Sequence, residues 1–404
     1  SRPPSGPELI GRPVIAVTPF RLLGSADATP AIAEAVPAEL ISSLSRLRWL
    51  SVIARGSSFR FRGSNIDLDA VRETLGARYC LSGTIEIVGQ RMTLGVELSR
   101  TSDHRVIWAE HYSCRIHDVQ EIRMSIAQSV VTALELHVPL SEAMQARGQH
   151  VDDLDAWSLY HLGLQHMYRF NKADNMAAAQ LFQSALERDP YLARAHAGLS
   201  FTSFQDAFLR YGQDPAADRL AARRHAERSL ELDPVDPIGN FNLGRALWLE
   251  GVPDAGLPWL DQATQLNPNY AQGFYARAWT DIIADRAAEG RRHVDAAMQL
   301  SPIDPLLYAM LATRAVTHLI EGDTAEAARW ADRAARAPGA HFLIALIAIA
   351  VLDADGQVDR AQAWAADVKA RRSDVTLEHF LRAFPFEGGT TRNLFSNALR
   401  RYGF

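Results

Sequence analysis

Ala185-Leu-Glu-Arg-Asp-Pro190, Ser229-Leu-Glu-Leu-Asp-Pro234, Ala263-Thr-Gln-Leu-Asn-Pro268 and Ala297-Met-Gln-Leu-Ser-Pro302 are four versions of one helix ending, and their spacing decides the fold. Proline follows an apolar helical run at Pro190, Pro234, Pro268, Pro302 and Pro338, at intervals of 44, 34, 34 and 36 residues. Proline has no amide to donate and clashes with the preceding turn, so each one stops a helix. Small residues fall on either side of these stops. Gly163, Gly198, Gly244, Ala278 and Ala312 lie in the first helix of each period, and Ala185, Ala263, Ala297 and Ala334 in the second. Two helices can cross closely only where side chains are small. Each hairpin then exposes an apolar face that its neighbours alone can cover, so the units must stack.

A 34-residue period of this kind predicts a tetratricopeptide-repeat array, an all-α superhelix over residues 150–372 with five or six units. The 44-residue interval predicts a lengthened second repeat, with Tyr211-Gly-Gln-Asp-Pro215 as an inserted loop. The first helices line the concave surface of such an array. Setting the repeats by their prolines places Trp157, Tyr160 and Tyr168 inward in the first unit, then Arg194, Phe201 and Phe204, then Phe241, Arg245 and Trp248. Tyr275, Trp279, Tyr308 and His318 follow from the fourth and fifth units. Aromatic residues with scattered arginine are the composition of a recognition groove. Packing between repeats is the alternative role for any one of them. The groove is expected to bind a signal, either a small molecule or a peptide. Val375–Phe386 and Arg392–Arg401 carry amphipathic patterns through Leu377, Phe380, Leu381 and Phe384, then Leu394, Phe395 and Leu399. They are expected to cap the last repeat, as a unit spanning 373–404.

The part before the array has a different grammar. Residues 1–12 are rich in Pro, Gly and Ser and read as a linker. Pro13–Phe20 and Leu50–Arg55 read as strands, Pro30–Leu47 as a helix, and Asp67 as the N-cap of a short helix stopped by Gly76. Three strand-like runs follow, Tyr79–Val88, Met92–Arg100 and Val106–Tyr112, with turn signals at Gly89-Gln90 and Ser102-Asp103-His104. A helix over Val119–Leu136 closes the domain near residue 145. The order β-α-β-α-β-β-β-α makes 13–145 a small mixed-sheet α/β domain, and the chain as a whole α+β.

Composition excludes several functions. Of 404 residues 48% are apolar, enough for a large core, and the net charge of -5 is wrong for a chain that coats nucleic acid or an anionic membrane. A P-loop needs a Gly-Lys-Ser/Thr end, yet Lys172 and Lys369 are the only lysines in the chain. There is no GxGxxG. His111, Cys114 and His117 have metal-ligand identities at short spacing but lack an evident fourth ligand, so no metal or other cofactor is expected. Arg55, Arg60 and Arg62 interleave with Phe59 and Phe61, an alternation read as a half-buried edge segment with solvated charges, a nucleic-acid or phosphate patch being the alternative. Glu110, His111, His117 and Asp118 could supply acid–base chemistry only with an electrophile site that sequence does not reveal, so a non-catalytic role is expected. Two cysteines cannot form a disulfide framework, and no leader peptide or spanning run is apparent. Both point to a cytoplasmic protein.

Pro13-Val-Ile-Ala-Val-Thr-Pro-Phe20, Leu44–Phe59, Leu75-Gly-Ala-Arg-Tyr-Cys-Leu-Ser-Gly83 and Val106-Ile-Trp-Ala-Glu-His-Tyr112 resemble the TolB-like amino-terminal domain of bacterial regulators. Asp155-Ala-Trp-Ser-Leu-Tyr-His-Leu-Gly163, Leu266-Asn-Pro-Asn-Tyr270, Leu300-Ser-Pro-Ile-Asp-Pro305 and Leu399-Arg-Arg-Tyr-Gly403 are similar to the repeat half of the same proteins. The resemblance implies a regulatory module that follows an effector domain, either a class III adenylate or guanylate cyclase or a winged-helix transcriptional regulator. That effector would be an N-terminal partner lying outside this chain. A second implied role is an assembly scaffold, in which the groove or the sheet edge holds a partner or a second copy as a homodimer.

Overall fold

The computed structural model describes the chain except residues 1–12, 24–29, 48, 63–65, 116–118, 147–153, 269, 302–303 and 387–388. The linker 1–12, His117, Asp118 and Pro302 therefore lie outside the described residues. The chain divides into two compact units, residues 1–161 and 162–404.

In the first unit, β1 (Val14–Val17), β3 (Ser51–Val52) and β4 (Tyr79–Val88) pair in parallel, and β4, β5 (Arg91–Arg100) and β6 (Val106–Arg115) form an antiparallel meander. A short β2 (Arg21–Leu23) extends the parallel edge beside β4. The sheet order is β3-β1-β4-β5-β6. Apolar runs with β-branched residues made these strands legible, and Ile15, Ala16, Val17, Leu81 and Leu94 are fully buried. The β4–β5 turn has two residues, and Gly89 takes the positive φ of 60° that such a turn demands. Helices α1 (Pro30–Leu44) and α4 (Val119–Ala146) pack against each other.

Helix α3 (Leu68–Leu75) starts where Asp67 accepts from the Ala70 amide at 3.1 Å and ends on Gly76 at φ 63°. Asp67→Ala should cost the first unit about 1 kcal/mol in urea unfolding. A cost indistinguishable from zero would mean the cap bond does not form.

Three local expectations are corrected. The strand over Leu50–Arg55 shrinks to two residues. Arg55–Ser58 is a one-turn helix, α2, Phe59 and Arg60 form a turn and Phe61 and Arg62 are irregular, so the alternation of Phe and Arg is not that of a strand. Glu34 decides this: its carboxylate takes Arg55 at 2.9 Å and Arg62 at 2.7 Å, which draws the segment back onto α1. The closing helix runs ten residues past Leu136, through Pro139. Buried Glu142 anchors that extension by accepting from the Tyr79 hydroxyl at 2.6 Å and from Arg78 at 3.0 Å.

The helices that follow come as six successive pairs. They are α5 (Ala156–Met167) with α6 (Lys172–Arg188), α7 (Ala193–Leu209) with α8 (Pro215–Leu232), and α9 (Pro237–Leu249) with α10 (Pro253–Leu266). Then come α11 (Ala271–Ile283) with α12 (Ala287–Leu300), α13 (Leu307–Ile320) with α14 (Thr324–Arg336), and α15 (Phe342–Ala354) with α16 (Val358–Arg371). The second helix stops two residues before Pro190, Pro234, Pro268 and Pro338, as a residue preceding proline is pushed out of the helical region. The small positions do close work. Phe182 is clamped between Gly163 and Gly198, where an added Cβ would stand 2.5 and 2.7 Å from its ring. The second repeat is longer mainly in its helices: α7 and α8 have 17 and 18 residues, against 13 and 14 in α9 and α10. The connection 210–214, with Arg210 in the left-handed region and Asp214 as N-cap of α8, adds the smaller part. The apolar run at Phe342 is the buried helix α15, and no described helix is long and apolar enough to cross a membrane.

Candidate functional site

The first helices α7, α9 and α11 carry aromatic residues that meet across neighbouring hairpins. On α7, Phe201, Phe204 and Phe208 are spaced by three and four residues, and on α9 Phe241, Arg245 and Trp248 by four and three, so each set shares one helix face. The rings of adjacent helices meet. Phe201 stacks on Phe241 at 6.3 Å, Phe204 meets Trp248 at 6.1 Å, and Trp248 meets Trp279 of α11 at 6.1 Å. Tyr168 joins through Phe170, whose ring touches Phe201. Trp279 donates its indole N–H to the Tyr275 hydroxyl at 3.0 Å. Tyr308 reaches the same region through His341, at 5.5 Å. His318 faces Asp323 at 3.8 Å at the far end of α13. Trp157, Tyr160 and His161 form a separate cluster in the first unit.

Most of these side chains are buried, so the face is filled rather than empty. The array's own tail fills much of it. After α16, helix α17 (Leu377–Ala383) carries Phe384 onto Trp279 at 4.4 Å, with Trp248 at 6.1 Å and Phe208 at 5.5 Å around it. The Trp248 indole N–H donates to the Ala383 carbonyl at 2.8 Å across 135 residues of chain. Arg210 holds the entry of the segment through Asp374 at 3.1 Å and the His379 imidazole at 3.0 Å. The last helix is α18 (Gly389–Arg401). It packs on α15, where Arg401 and Tyr402 bind Asp353 at 2.7 and 3.0 Å. Of the tail residues, Phe384 and Ala383 meet this face, while Phe380 and Phe386 pack against Phe395 of α18. Their amphipathic spacing signalled burial without naming the surface.

Polar groups within the array are fixed by shape. Asn175 donates to the Thr202 carbonyl at 3.0 Å and to Asp206 at 2.7 Å, and Asn242 donates to the Ala197 carbonyl at 2.7 Å. Arg194 is tied to buried Asp236 at 2.7 Å. Burial pushes the Asp206 carboxyl up to about 6 and the imidazoles of His225 and His341 down to about 4 and about 3. Each histidine is neutral in the folded array and takes a proton more readily when unfolded. Their contribution is complete above pH 6.5 and is lost as pH falls toward 4 and 3. Asp206 opposes this, losing stability as pH rises from 3.8 to about 6. The array should therefore weaken on acidification from pH 7 to 4.5, and His341→Leu should remove about 1–3 kcal/mol of that loss in urea titrations. An unchanged slope would show that His341 is solvated.

Of the acid–base candidates in the first unit, Glu110 and His111 are neighbours on β6, and His117 and Asp118 lie outside the described residues. Glu110 accepts from Tyr112 at 3.2 Å, and His111 lies beside Gly95 in the register. Among the described residues no three His, Cys, Asp or Glu side chains form a metal-holding group. Cys80 is buried with its thiol pushed up to about 12 by desolvation, so it stays protonated.

Residues 11–132 match the family described as HilA/YgeH-like transcriptional regulator, second domain. A Rhizobium meliloti (strain 1021) protein named "Putative adenylate cyclase 3" is 28% identical over 251 residues, 62% of this chain and 43% of the relative, so the match spans less than half of that protein. Among solved structures, Pseudomonas aeruginosa PilF is 18% identical, with a TM-score of 0.39 over 56% of this chain and 94% of its own. YrrB, described as a TPR protein with an unusual peptide-binding site, is 18% identical, with a TM-score of 0.30 over 47% of this chain and 90% of its own.

Proposed function

We propose that this chain is a non-catalytic regulatory module whose helical array binds a signal on its first-helix face and controls an effector domain on its N-terminal side. A winged-helix DNA-binding domain or a nucleotide cyclase is the effector class that the similarities of residues 11–132 and of the cyclase-named relative favour. In this reading 13–145 is the TolB-like domain, 150–372 the array, and the protein works in the cytoplasm. The observation that carries the reading is the seated tail. A face that captures a backbone carbonyl with Trp248 and a phenyl ring against Trp279 has the chemistry to hold a peptide or an aromatic ligand. The predicted ligand-contacting residues are those of the face itself, with Trp248, Trp279 and Arg245 at its centre.

A thermal-shift screen of the 404-residue chain against metabolites, including cyclic nucleotides and nucleoside triphosphates, and against a peptide of residues 374–386 tests this. A ligand at 100 times its dissociation constant adds about 2.7 kcal/mol, visible as a saturable rise in melting temperature. The rise should vanish in a folded Trp279→Leu variant. No ligand-dependent shift, together with a mass that grows with concentration, would replace the reading with an assembly scaffold. One surface favours that alternative: Leu136, Leu140 and Met144, spaced four apart on α4, are 51%, 41% and 68% exposed.

A further inference from the structure

Arg245 lies in the middle of α9, one turn before Trp248, and keeps only 9% of its surface open. Its guanidinium carbon stands 3.6 Å from the centre of the Phe204 ring, 4.7 Å from Phe201 and 4.8 Å from Phe241. Three ring faces attract the cation but offer no oxygen to its five N–H donors.

Other arginines drawn into the array are treated differently. Arg194 meets Asp236 at 2.7 Å, Arg277 meets Asp261 at 2.9 Å, Arg286 meets Asp281 at 3.0 Å and Arg291 meets Glu321 at 2.7 Å. Among the described residues no carboxylate faces Arg245. The titratable groups that act on it are the hydroxyls of Tyr275 and Tyr270. Desolvation pushes it down to about 10, which still leaves it charged at neutral pH. A cation buried without a counter-charge weakens a fold, and an apolar side chain of equal volume would pack the same cage without that penalty.

We propose that Arg245 is the receptor for a carboxylate group on the ligand of this face. The proposal rests on the ligand-binding reading above and names the ligand's chemistry. The planar guanidinium accepts a carboxylate edge-on through two parallel hydrogen bonds, while the aromatic residues around it favour an apolar body attached to that group. The carboxylate could come from a free organic acid or from a peptide, and the probes below separate the two.

Isothermal titration of the 404-residue chain with benzoate, N-acetylphenylalanine and N-acetylphenylalanine amide tests the assignment. Either carboxylate should bind at least about tenfold more tightly than the amide, the discrimination expected for one charged hydrogen-bonded pair. Preference for benzoate indicates a free acid, and preference for N-acetylphenylalanine a peptide carboxylate. Arg245→Met should abolish the discrimination while melting no lower than wild type. Arg245→Lys should keep a reduced discrimination, which serves as the readout if the methionine variant does not fold. Equal binding of acid and amide, no binding of either carboxylate at millimolar concentration, or full discrimination in Arg245→Met would each overturn the proposal. A ligand without a carboxylate that still stabilises the array would sink this assignment and leave the groove reading intact.

Discussion

Replacing Phe384 with alanine should destabilise the helical array by about 3–5 kcal/mol and change its tryptophan fluorescence. The ring is 1% exposed and lies against Trp279, Trp248, Phe208 and Phe380, so its removal leaves a cavity walled by other aromatics. Those walls belong to α7, α9, α11 and α17, each fixed by its own neighbours, and they cannot all collapse inward. The loss also loosens Ala383, whose carbonyl would release the Trp248 indole. Guanidinium unfolding followed at the tryptophans and by circular dichroism measures both effects. A loss under about 1 kcal/mol with unchanged emission would mean the tail is not seated, and the functional reading would fall with it.

Substituting Gly256 with leucine should be more damaging than an ordinary core overpacking. An added Cβ would stand 2.6 Å from the backbone oxygen of Gly244, so the obstacle is main chain, which has no rotamer to yield. Helices α9 and α10 would have to separate, and with them the contact of Gly244 with Leu260. Overpacking costs typically 1–3 kcal/mol, and a backbone clash places this variant at or above about 3 kcal/mol. Gly56→Ala is the matched control. Nothing lies within 4 Å of a Cβ there, and its φ is not positive, so the variant should be neutral or more stable by up to about 1 kcal/mol. Chemical denaturation of the two variants under one set of conditions decides the point. Equal stabilities would show that the helices are not in backbone contact.

Residues 11–132 are similar to a domain of transcriptional regulators, and a helical array follows them in the chain. Neither fact chooses a ligand. Seating of the tail suggests that a ligand of the same face would compete with residues 374–386. Binding and tail release would then be linked, since a shared surface cannot satisfy both at once.

What could be read in the chain alone was local or periodic. Proline spacing located the ends of the second helices, because the missing amide acts on the residue beside it wherever the helix packs. Asp67 and Gly76 marked the limits of α3, and Gly89 marked a hairpin, since caps and tight turns are satisfied within a few residues. The aromatic spacing on α7 and α9 put those residues on one face of each helix, because helical periodicity is local too. Tertiary structure decided the rest. The strand expected at Leu50–Arg55 stops at Val52 and a helical turn starts at Arg55, where Glu34, some twenty residues earlier, collects both Arg55 and Arg62. The destination of α17 depended on a hydrogen bond spanning 135 residues. An amphipathic pattern states that Phe380 and Phe384 will be buried, but it carries no information about which apolar surface will meet them. Arg245 is the sharpest case. Its identity and its face were legible, but the absence of a partner acid is a property of everything around it, and only the folded array determines that.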